Sequence, residues 1–260
     1  MVRKQALAIQ MIRREIVGRY RGSALGVLWS LLTPLFMLGV YTFVFSVVFQ
    51  ARWAADRQPT GTIEFAIILF TGLIVFQLFA EVVNRAPTLI LFNVNYVKKV
   101  VFPLDILPVI ALGSALFHAA VSLIVLFGFM VVFMGGIPLT ALLFPVVLAP
   151  FLLLILGLGW FLASLGVFVR DITQFLGTLV TALMFLSPIF FPSSALPPWI
   201  RPYLFLNPVT LPIEQARDVL IWGKMPDFVG LFVYTVIALV VAMLGYMWFQ
   251  KTRKGFADVL

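Results

Sequence analysis

The residues that could perform chemistry in this chain are few, and most lie near the ends of long apolar runs. The candidates are four acids, Glu64, Glu81, Asp105 and Asp171, and the single histidine, His118. An acid in the middle of a membrane usually marks proton or cation coupling. Because these acids lie near the ends of the runs, the favoured interpretation is pairing with a nearby Arg or Lys. For His118 it is a hydrogen-bonded packing residue rather than a proton relay.

Other kinds of chemistry lack the residues they need. The chain has no cysteine and one histidine, so no thiolate chemistry and no metal site are predicted. Its one Gly-Lys pair, Gly223-Lys224, is followed by Met225 and does not belong to a phosphate-binding loop. The chain therefore cannot bind and hydrolyse ATP by that route.

One acidic pair could suggest an enzyme. A membrane enzyme acting on lipid phosphates would need clustered Asp or His near the interface. Glu214 and Asp218 are four residues apart, with Arg217 beside them, and residues at that spacing share a helix face. A surface ion-pair cluster is the simpler interpretation. No catalytic residues and no enzymatic activity are therefore expected.

Aromatic side chains form a second chemical feature. Trp29, Phe36 and Phe43 recur every seven residues and therefore share one stripe of a helix. Aromatic rings offer large contact area at a low entropic cost and can stack on sugar rings. Ordinary packing or lipid-facing aromatics are the alternative, and the spacing alone leaves both open.

The elements that position these residues must lie in lipid. The chain is 63% hydrophobic and 11% charged, with a mean hydropathy of +1.12, whereas a soluble domain is about 45–50% apolar and about 25% charged. A bilayer core of about 30 Å needs roughly 20 apolar residues in a helix. Small residues in the fourth apolar run would permit close helix packing: Gly157, Gly159, Ala163 and Gly166. We predict an all-α integral membrane protein with six transmembrane helices at residues 27–49, 63–83, 105–134, 139–169, 174–191 and 228–250.

The distribution of positive charge predicts the orientation. Loops rich in Lys and Arg remain in the cytoplasm. With the N-terminus inside, 13 of the 18 Lys and Arg residues lie on the cytoplasmic side. Both termini are therefore predicted to be cytoplasmic.

Three segments are not simple spans. Residues 1–22 are charged and amphipathic, which predicts a helix in the cytoplasmic interface, with a plain positively charged anchor as the alternative. Residues 84–104 form a cytoplasmic loop too apolar to be solvated, so it needs a partner protein or the chain's own helices. Residues 192–227 contain seven prolines, which excludes one continuous helix. Short helices re-entering the outer leaflet as a gate or vestibule fit their apolar content.

Several motifs occur in a characteristic order. Residues 13–29 (RREIVGRYRGSALGVLW) contain R-Y-R-x-S-x-L-G-x-x-W, and Pro34 and an aromatic-rich helix follow. Residues 97–103 (VKKVVFP), Arg170-Asp171 and Leu206-Asn207-Pro208 come later. Together they resemble the permeases of ABC transporters that export lipid-linked polysaccharide, and the resemblance covers essentially the whole chain as one transmembrane domain.

The resemblance implies a bacterial inner-membrane permease that works as a homodimer with two cytoplasmic ATPase subunits. Those subunits would bind ATP and Mg, and this chain would hold no cofactor. The cargo would be a polyprenyl-pyrophosphate-linked polysaccharide, with O-antigen favoured over teichoic acid and capsule. A permease for a drug or small lipid is the alternative, and a channel or structural protein without an ATPase is a further one. No nucleic acid partner is expected.

The resemblance also implies roles for residues. Aromatic side chains would line the channel between subunits: Trp29, Phe36, Tyr41, Phe43, Phe185 and Phe190. Arginines of the N-terminal helix would meet the lipid phosphates: Arg13, Arg14, Arg19 and Arg21. The loop after the second span would couple to the ATPase through Arg85, Leu89, Phe92, Asn93, Asn95, Tyr96, Lys98 and Lys99. The broken segment would form the outer gate with Pro197, Trp199, Tyr203, Asn207 and Pro208.

Overall fold

A computed structural model describes residues 2–48, 62–98 and 102–260, and these residues are helical with no β-strand among them. The α-helices are α1 (Val2–Arg19), α2 (Trp29–Tyr41), α3 (Thr62–Arg85), α4 (Val94–Lys98), α5 (Leu107–Met134), α6 (Phe144–Phe168), α7 (Ile172–Leu186), α8 (Arg201–Leu204), α9 (Thr210–Leu220), α10 (Phe228–Thr252) and α11 (Phe256–Val259). A π-helix, Thr42–Val48, continues α2. Short 3-10 helices occupy Gly26–Leu28, Ala86–Thr88, Leu91–Asn93, Leu104–Ile106, Leu139–Leu143, Ser193–Ala195 and Arg253–Gly255. The predicted all-helical class is confirmed.

Five helical stretches in the described residues are long and apolar enough to cross a membrane. They are Gly26–Val44, Ile63–Thr88, Leu104–Met134, Leu139–Phe168 and Phe228–Val259. They overlap five of the six predicted spans, although the predicted end of the first span, residue 49, lies outside the described residues. The third and fourth stretches are separated by Gly135, whose φ of 79° is a conformation that glycine adopts at little cost.

The sixth apolar helix is shorter than the sequence predicts. The predicted span covers residues 174–191, whereas α7 has 15 residues and ends at Leu186. Ser187 has extended backbone, with φ −90° and ψ 153°, because a residue that precedes proline is disfavoured in the helical region. Pro188 therefore ends the helix before it reaches the roughly 20 residues of a full span.

Helix α3 lies at the centre of the bundle. Its residues 65–80 are buried except for Gln77, and it contacts α2, α5, α6, α7 and α9. A helix that is apolar on all sides is stable when neighbours surround it. The charged residues Glu81 and Arg85 lie near the end of α3, where the bundle opens.

Helices α6 and α10 pack backbone against backbone. A methyl group added at Gly157 would lie 2.6 Å from Ala242 Cα, and Gly245 faces the Gly157 carbonyl group. Gly166 lies equally close to the backbone of Pro87. The close packing predicted from these small residues is confirmed.

Helix α1 packs along α5. Ile12 lies directly over Gly113 of α5, and Leu7 and Met11 pack against the same apolar cluster. Ile9 is exposed. The predicted N-terminal helix is present, and α5 covers part of its apolar face.

The segment after α3 folds back onto the bundle. Leu89 and Ile90 are buried in a cluster with Leu107 and Phe249. Phe92, by contrast, is 83% exposed. The chain's own helices thus cover part of this apolar segment and leave Phe92 uncovered.

The segment between α7 and α10 is divided into short helices, as its prolines require. Helix α9 is buried against α3 and α6, with Ile213, Ala216 and Leu220 inaccessible to solvent. Trp199 and Tyr203 are exposed. Part of this segment is therefore a packed component of the bundle.

Candidate permeation site

The aromatic stripe on α2 faces outward. Phe36 is 70% exposed, and Trp29 and Phe43 are exposed as well. The stretch Gly26–Val44 has the smallest buried share of the five candidate spans among the described residues. Because one chain leaves this surface uncovered, lipid or another subunit must cover it.

Helix α7 exposes polar groups together with aromatic rings. Gln174, Thr178 and Thr181 are exposed at positions i, i+4 and i+7, which place them on one face. The threonine hydroxyls donate to carbonyls of their own helix, whereas the Gln174 amide has no partner within the described part of the chain. Phe185 is exposed and stacks on Phe190 with ring centroids 5.7 Å apart. The Gln174 amide is therefore the polar group of this face that lipid cannot satisfy, and it is suited to water or a polar ligand.

Helix α10 shows the pattern expected of a lipid-facing helix. Its exposed side chains are large and apolar, and include Phe232, Val236, Val240 and Met247. This surface needs no polar partner in a bilayer. The contrast with α10 identifies the outward face of α7 as the candidate permeation surface.

A polar cluster joins the end of α1 to α3 and α5. Arg19 Nη2 lies 2.7 Å from Glu81 Oε1, and His118 Nδ1 lies 3.0 Å from Glu81 Oε2. The Tyr20 Oη atom lies 3.2 Å from His118 Nε2. The predictions that Glu81 pairs with a cation and that His118 is hydrogen-bonded are confirmed.

A second ion pair lies one turn further along α3. Arg85 pairs with Glu15 of α1. Glu15 and Arg19 are four residues apart on α1, as Glu81 and Arg85 are on α3, so the two helices exchange charges in antiparallel order. This four-residue set, called here the charge clamp, ties the start of the predicted coupling segment to the N-terminal helix.

The four arginines predicted to meet lipid phosphates fall into two groups. Arg13, Arg14 and Arg21 are exposed. Arg19 is engaged by Glu81 and lies 3.1 Å from His118 Nδ1. The first three are thus available to a phosphate, and Arg19 holds the bundle together.

The predicted coupling residues differ in exposure. Asn95 is exposed, while the Asn93 amide donates to the Leu89 carbonyl oxygen at 2.8 Å. The Tyr96 ring stacks on Phe102 with centroids 4.5 Å apart. Two further predicted residues, Lys99 and the side chain of Lys98, lie outside what the structure describes.

Two of the predicted gate residues anchor the segment between α7 and α10. The Asn207 amide donates to Ser187 Oγ at 2.8 Å, and Tyr234 Oη donates to the Pro208 carbonyl oxygen at 2.6 Å. Pro197 is exposed. The segment between α7 and α10 therefore has a fixed end near α9 and an exposed end near α8.

The predicted surface ion-pair cluster is wrong for Arg217. This residue is 3% exposed and donates to the carbonyl oxygens of Ile68 at 3.1 Å, Ile189 at 3.0 Å and Pro188. Pro188 and Ile189 follow the end of α7, where the helix no longer supplies donors to the backbone carbonyl groups. Burial lowers the pKa of Arg217 to about 9, against an opposing effect of Glu214, so the side chain is charged at neutral pH.

Sequence patterns did not single out every residue of these surfaces. Gln77 and Thr33 line an open cavity among α2, α3 and α5, and Gln174, Thr178 and Thr181 form the polar face of α7. Gln77 could have been identified from the sequence because it is an amide side chain inside an uncharged apolar run. The spacing of four and then three residues was the signal for α7.

The bundle of apolar helices and the outward polar face define a multi-pass membrane protein of the permease class. The sequence model of the ABC-2 type transporter family matches residues 7–221. The chain belongs to this family, whose members are the non-catalytic membrane subunits of ABC transporters. It is a multi-pass protein of the inner membrane.

Similar proteins extend over nearly the full chain. The O-antigen export system permease protein RfbA of Klebsiella pneumoniae is 26% identical over 98% of this chain and 95% of its own length. The protein of the same name from Myxococcus xanthus is 27% identical with the same coverage. The polysialic acid transport protein KpsM of Escherichia coli is 29% identical over 93% of this chain and 92% of its own length.

Proposed function

We propose that this chain is the channel-forming permease subunit of an ATP-driven exporter of polyprenyl-pyrophosphate-linked polysaccharide, with O-antigen as the favoured cargo. Relatives named as O-antigen and polysialic acid exporters match it from end to end. The observation that carries the proposal is the exposed face of α7, where the unpartnered Gln174 amide and two threonines share the helix surface with Phe185. A neutral glycan offers both the hydroxyl groups and the apolar ring faces that this surface needs.

The working unit in this proposal is a homodimer. Two copies would place the uncovered faces of α2 and α7 around a shared path, with Phe36 and Phe185 among its lining. Six transmembrane helices per copy, with α7 as the fifth and both termini cytoplasmic, agree with the positive-inside rule. The segment 192–227 would re-enter the outer leaflet as a gate, and the Arg217 bonds to α3 and to the end of α7 would fix its inner end.

Transport would proceed by weak, repeated contacts. The exposed arginines Arg13, Arg14 and Arg21 would receive the lipid phosphates at the cytoplasmic face. The sugar chain would then pass the aromatic rings and hydroxyl groups, none of which forms a tight site. Weak sites favour passage because a polymer must leave each one as easily as it arrives.

Energy would come from two separate ATPase subunits that bind ATP and Mg. Phe92 and Asn95 project from the segment after α3 and would contact those subunits. The Arg85–Glu15 pair would transmit movement of this segment to α1 and, through the rest of the charge clamp, to the bundle.

Deleting the gene and fractionating the cells for lipid-linked glycan tests the proposal. We expect glycan trapped on the cytoplasmic side and none at the surface, with recovery when the gene is restored. Normal surface glycan together with altered resistance to amphipathic compounds would contradict it and favour a small-molecule exporter.

A further inference from the structure

A cavity that opens to the surface of the single chain lies among α2, α3 and α5, and neither the aromatic stripe of α2 nor the exposed face of α7 lines it. Its volume is about 330 Å³, at the small end of the roughly 300–1,000 Å³ range of ligand pockets. Thr33 and Tyr41 of α2, Gln77 of α3 and Ala115 of α5 are among its lining residues. Each wall of the cavity thus comes from a different helix.

Three polar groups face this cavity without a protein partner. The Thr33 hydroxyl, the Tyr41 phenol and the Gln77 amide make no hydrogen bond to any described residue. Gln77 is also the exception in a stretch of α3 that is otherwise buried from residue 65 to residue 80. Thr33 and Gln77 are exposed in the single chain, and lipid could not supply the hydrogen bonds that these groups lack.

The charged end of the cavity is already neutralised. Arg19 and Glu81 pair with each other at 2.7 Å, and His118 and Tyr20 complete their hydrogen bonds within the same cluster. The charges of Arg19 and Glu81 therefore offset each other beside the cavity. This arrangement favours a neutral ligand over a free phosphate.

The remaining lining is aromatic and aliphatic. The Tyr41 and Phe70 rings border the cavity, together with Met37 and Leu73. A sugar ring carries hydroxyl groups around its edge and apolar C–H groups on its faces. Hydroxyl and amide groups beside aromatic rings are complementary to both parts of such a ring.

We propose that this cavity binds one neutral sugar unit of the exported glycan, with sugar hydroxyls bonded to Thr33, Tyr41 and Gln77. It would be a specificity site inside each subunit, distinct from the weak contacts along the shared path. The inference rests on the proposed function, because that function supplies a glycan to the inner membrane.

Three near-isosteric variants test the site: Thr33→Val, Tyr41→Phe and Gln77→Leu. The full complex of permease and ATPase subunits is placed in nanodiscs, and the probe is lipid-linked glycan extracted from the native strain. Each variant removes one neutral hydrogen bond and should raise the glycan concentration for half-maximal ATPase stimulation roughly threefold to tenfold. The melting temperature should stay unchanged or rise, because the lost group has no protein partner.

Tyr246→Phe is the matched control. It also removes one phenolic hydroxyl group, on α10, and the ring of Tyr246 packs on Trp160 away from the cavity. This variant should leave glycan stimulation at the wild-type value.

Wild-type stimulation by glycan with unchanged responses in all three variants would overturn the sugar site and leave the export function standing. Variants whose melting temperature depends on the nanodisc phospholipid, with no change in glycan response, would assign the cavity to a lipid headgroup instead. An unstimulated wild-type complex would reject the export function itself, and the sugar site with it.

Discussion

At the scale of single residues, the bundle depends on positions where one backbone touches another. Gly157 and Gly245 bring α6 and α10 together, and Arg217 donates hydrogen bonds to three backbone carbonyl groups from α3 and from the segment after α7. Neither contact tolerates a change of shape. Interiors packed at crystal-like density respond to a single added methyl group.

Gly157→Ala should destabilise the protein. The new methyl group would lie 2.6 Å from Ala242 Cα, and this backbone cannot rotate away as a side chain could, so overpacking should cost about 1–3 kcal/mol. The measurement is the melting temperature of the purified protein in detergent.

Gly128→Ala on α5 is the control, because a methyl group there meets no atom within 4 Å. That variant should be neutral or stabilised, by up to about 1 kcal/mol, since alanine favours the helix over glycine. Equal melting temperatures for the two variants would contradict the close contact between α6 and α10.

Predictions for single residues were confirmed where the position of a residue in the sequence indicates the kind of partner it needs. Glu81 lies near the end of an apolar run, and the expectation that it pairs with a cation is confirmed by Arg19. The prediction that Arg217 is a surface residue was wrong. Its hydrogen-bond acceptors are the backbone carbonyl groups of Ile68, Pro188 and Ile189, which are distant from it in the sequence. The spacing of residues in a sequence does not indicate which backbone carbonyl groups will accept hydrogen bonds from a side chain.

At the scale of elements, the charge clamp makes α1 and α3 one mechanical unit. The two ion pairs are Glu15–Arg85 and Arg19–Glu81, and all four side chains are partly shielded from solvent. Partly buried ion pairs contribute more to stability than fully exposed ion pairs, which solvent screens. Any motion of the segment after α3 should therefore reach α1.

Charge exchange tests the clamp. The single variants Glu15→Arg and Arg85→Glu each place like charges together and should lower the melting temperature, while the double variant should recover it. The coupling free energy in the double-mutant cycle should be about 0.5–3 kcal/mol. The mismatched double, Glu15→Arg with Glu81→Arg, should not recover, and recovery there would show that the pairing has no specific partner.

Phe92 should mark where the ATPase subunit binds. Phe92→Asp places a charge on a side chain that is 83% exposed, so the fold should survive while an apolar contact with the partner is lost. The measurement is co-purification of the ATPase subunit with the permease. Phe205→Asp, at another exposed phenylalanine, is the control and should retain the partner. Retention in both variants would remove Phe92 from the docking surface.

Element boundaries followed from the sequence where local chemistry decides them. Gly135 and Pro138 separate α5 from the next helical stretch, which agrees with the predicted spans 105–134 and 139–169. The end of α7 was placed five residues too late, since hydropathy continues to Phe191 while Pro188 stops the helix. The burial of α9 could not be predicted from the sequence because it depends on contacts with α3 and α6. Both helices are distant from α9 in the sequence.

At the scale of the whole molecule, the uncovered faces of α2 and α7 predict contact between two copies. The chain has no cysteine, so single cysteines can be introduced without a background. Phe36→Cys or Phe185→Cys in membranes, treated with a bifunctional thiol reagent, should give a covalent dimer.

Phe232→Cys on the apolar face of α10 is the lipid-facing control, matched in exposure at 70%, and should remain monomeric. Cross-linking at α10 alone would place the dimer interface on the opposite surface and contradict the shared path.

Reconstituted transport tests the central claim most directly. Permease and ATPase subunits are placed in vesicles with the ATPase outside and lipid-linked glycan in the outer leaflet. We predict that ATP makes the glycan inaccessible to an added glycosidase, because it has moved to the lumen, and that vesicles without ATP show no protection. Glycan that stays fully accessible while the complex hydrolyses ATP would contradict polysaccharide export by this protein.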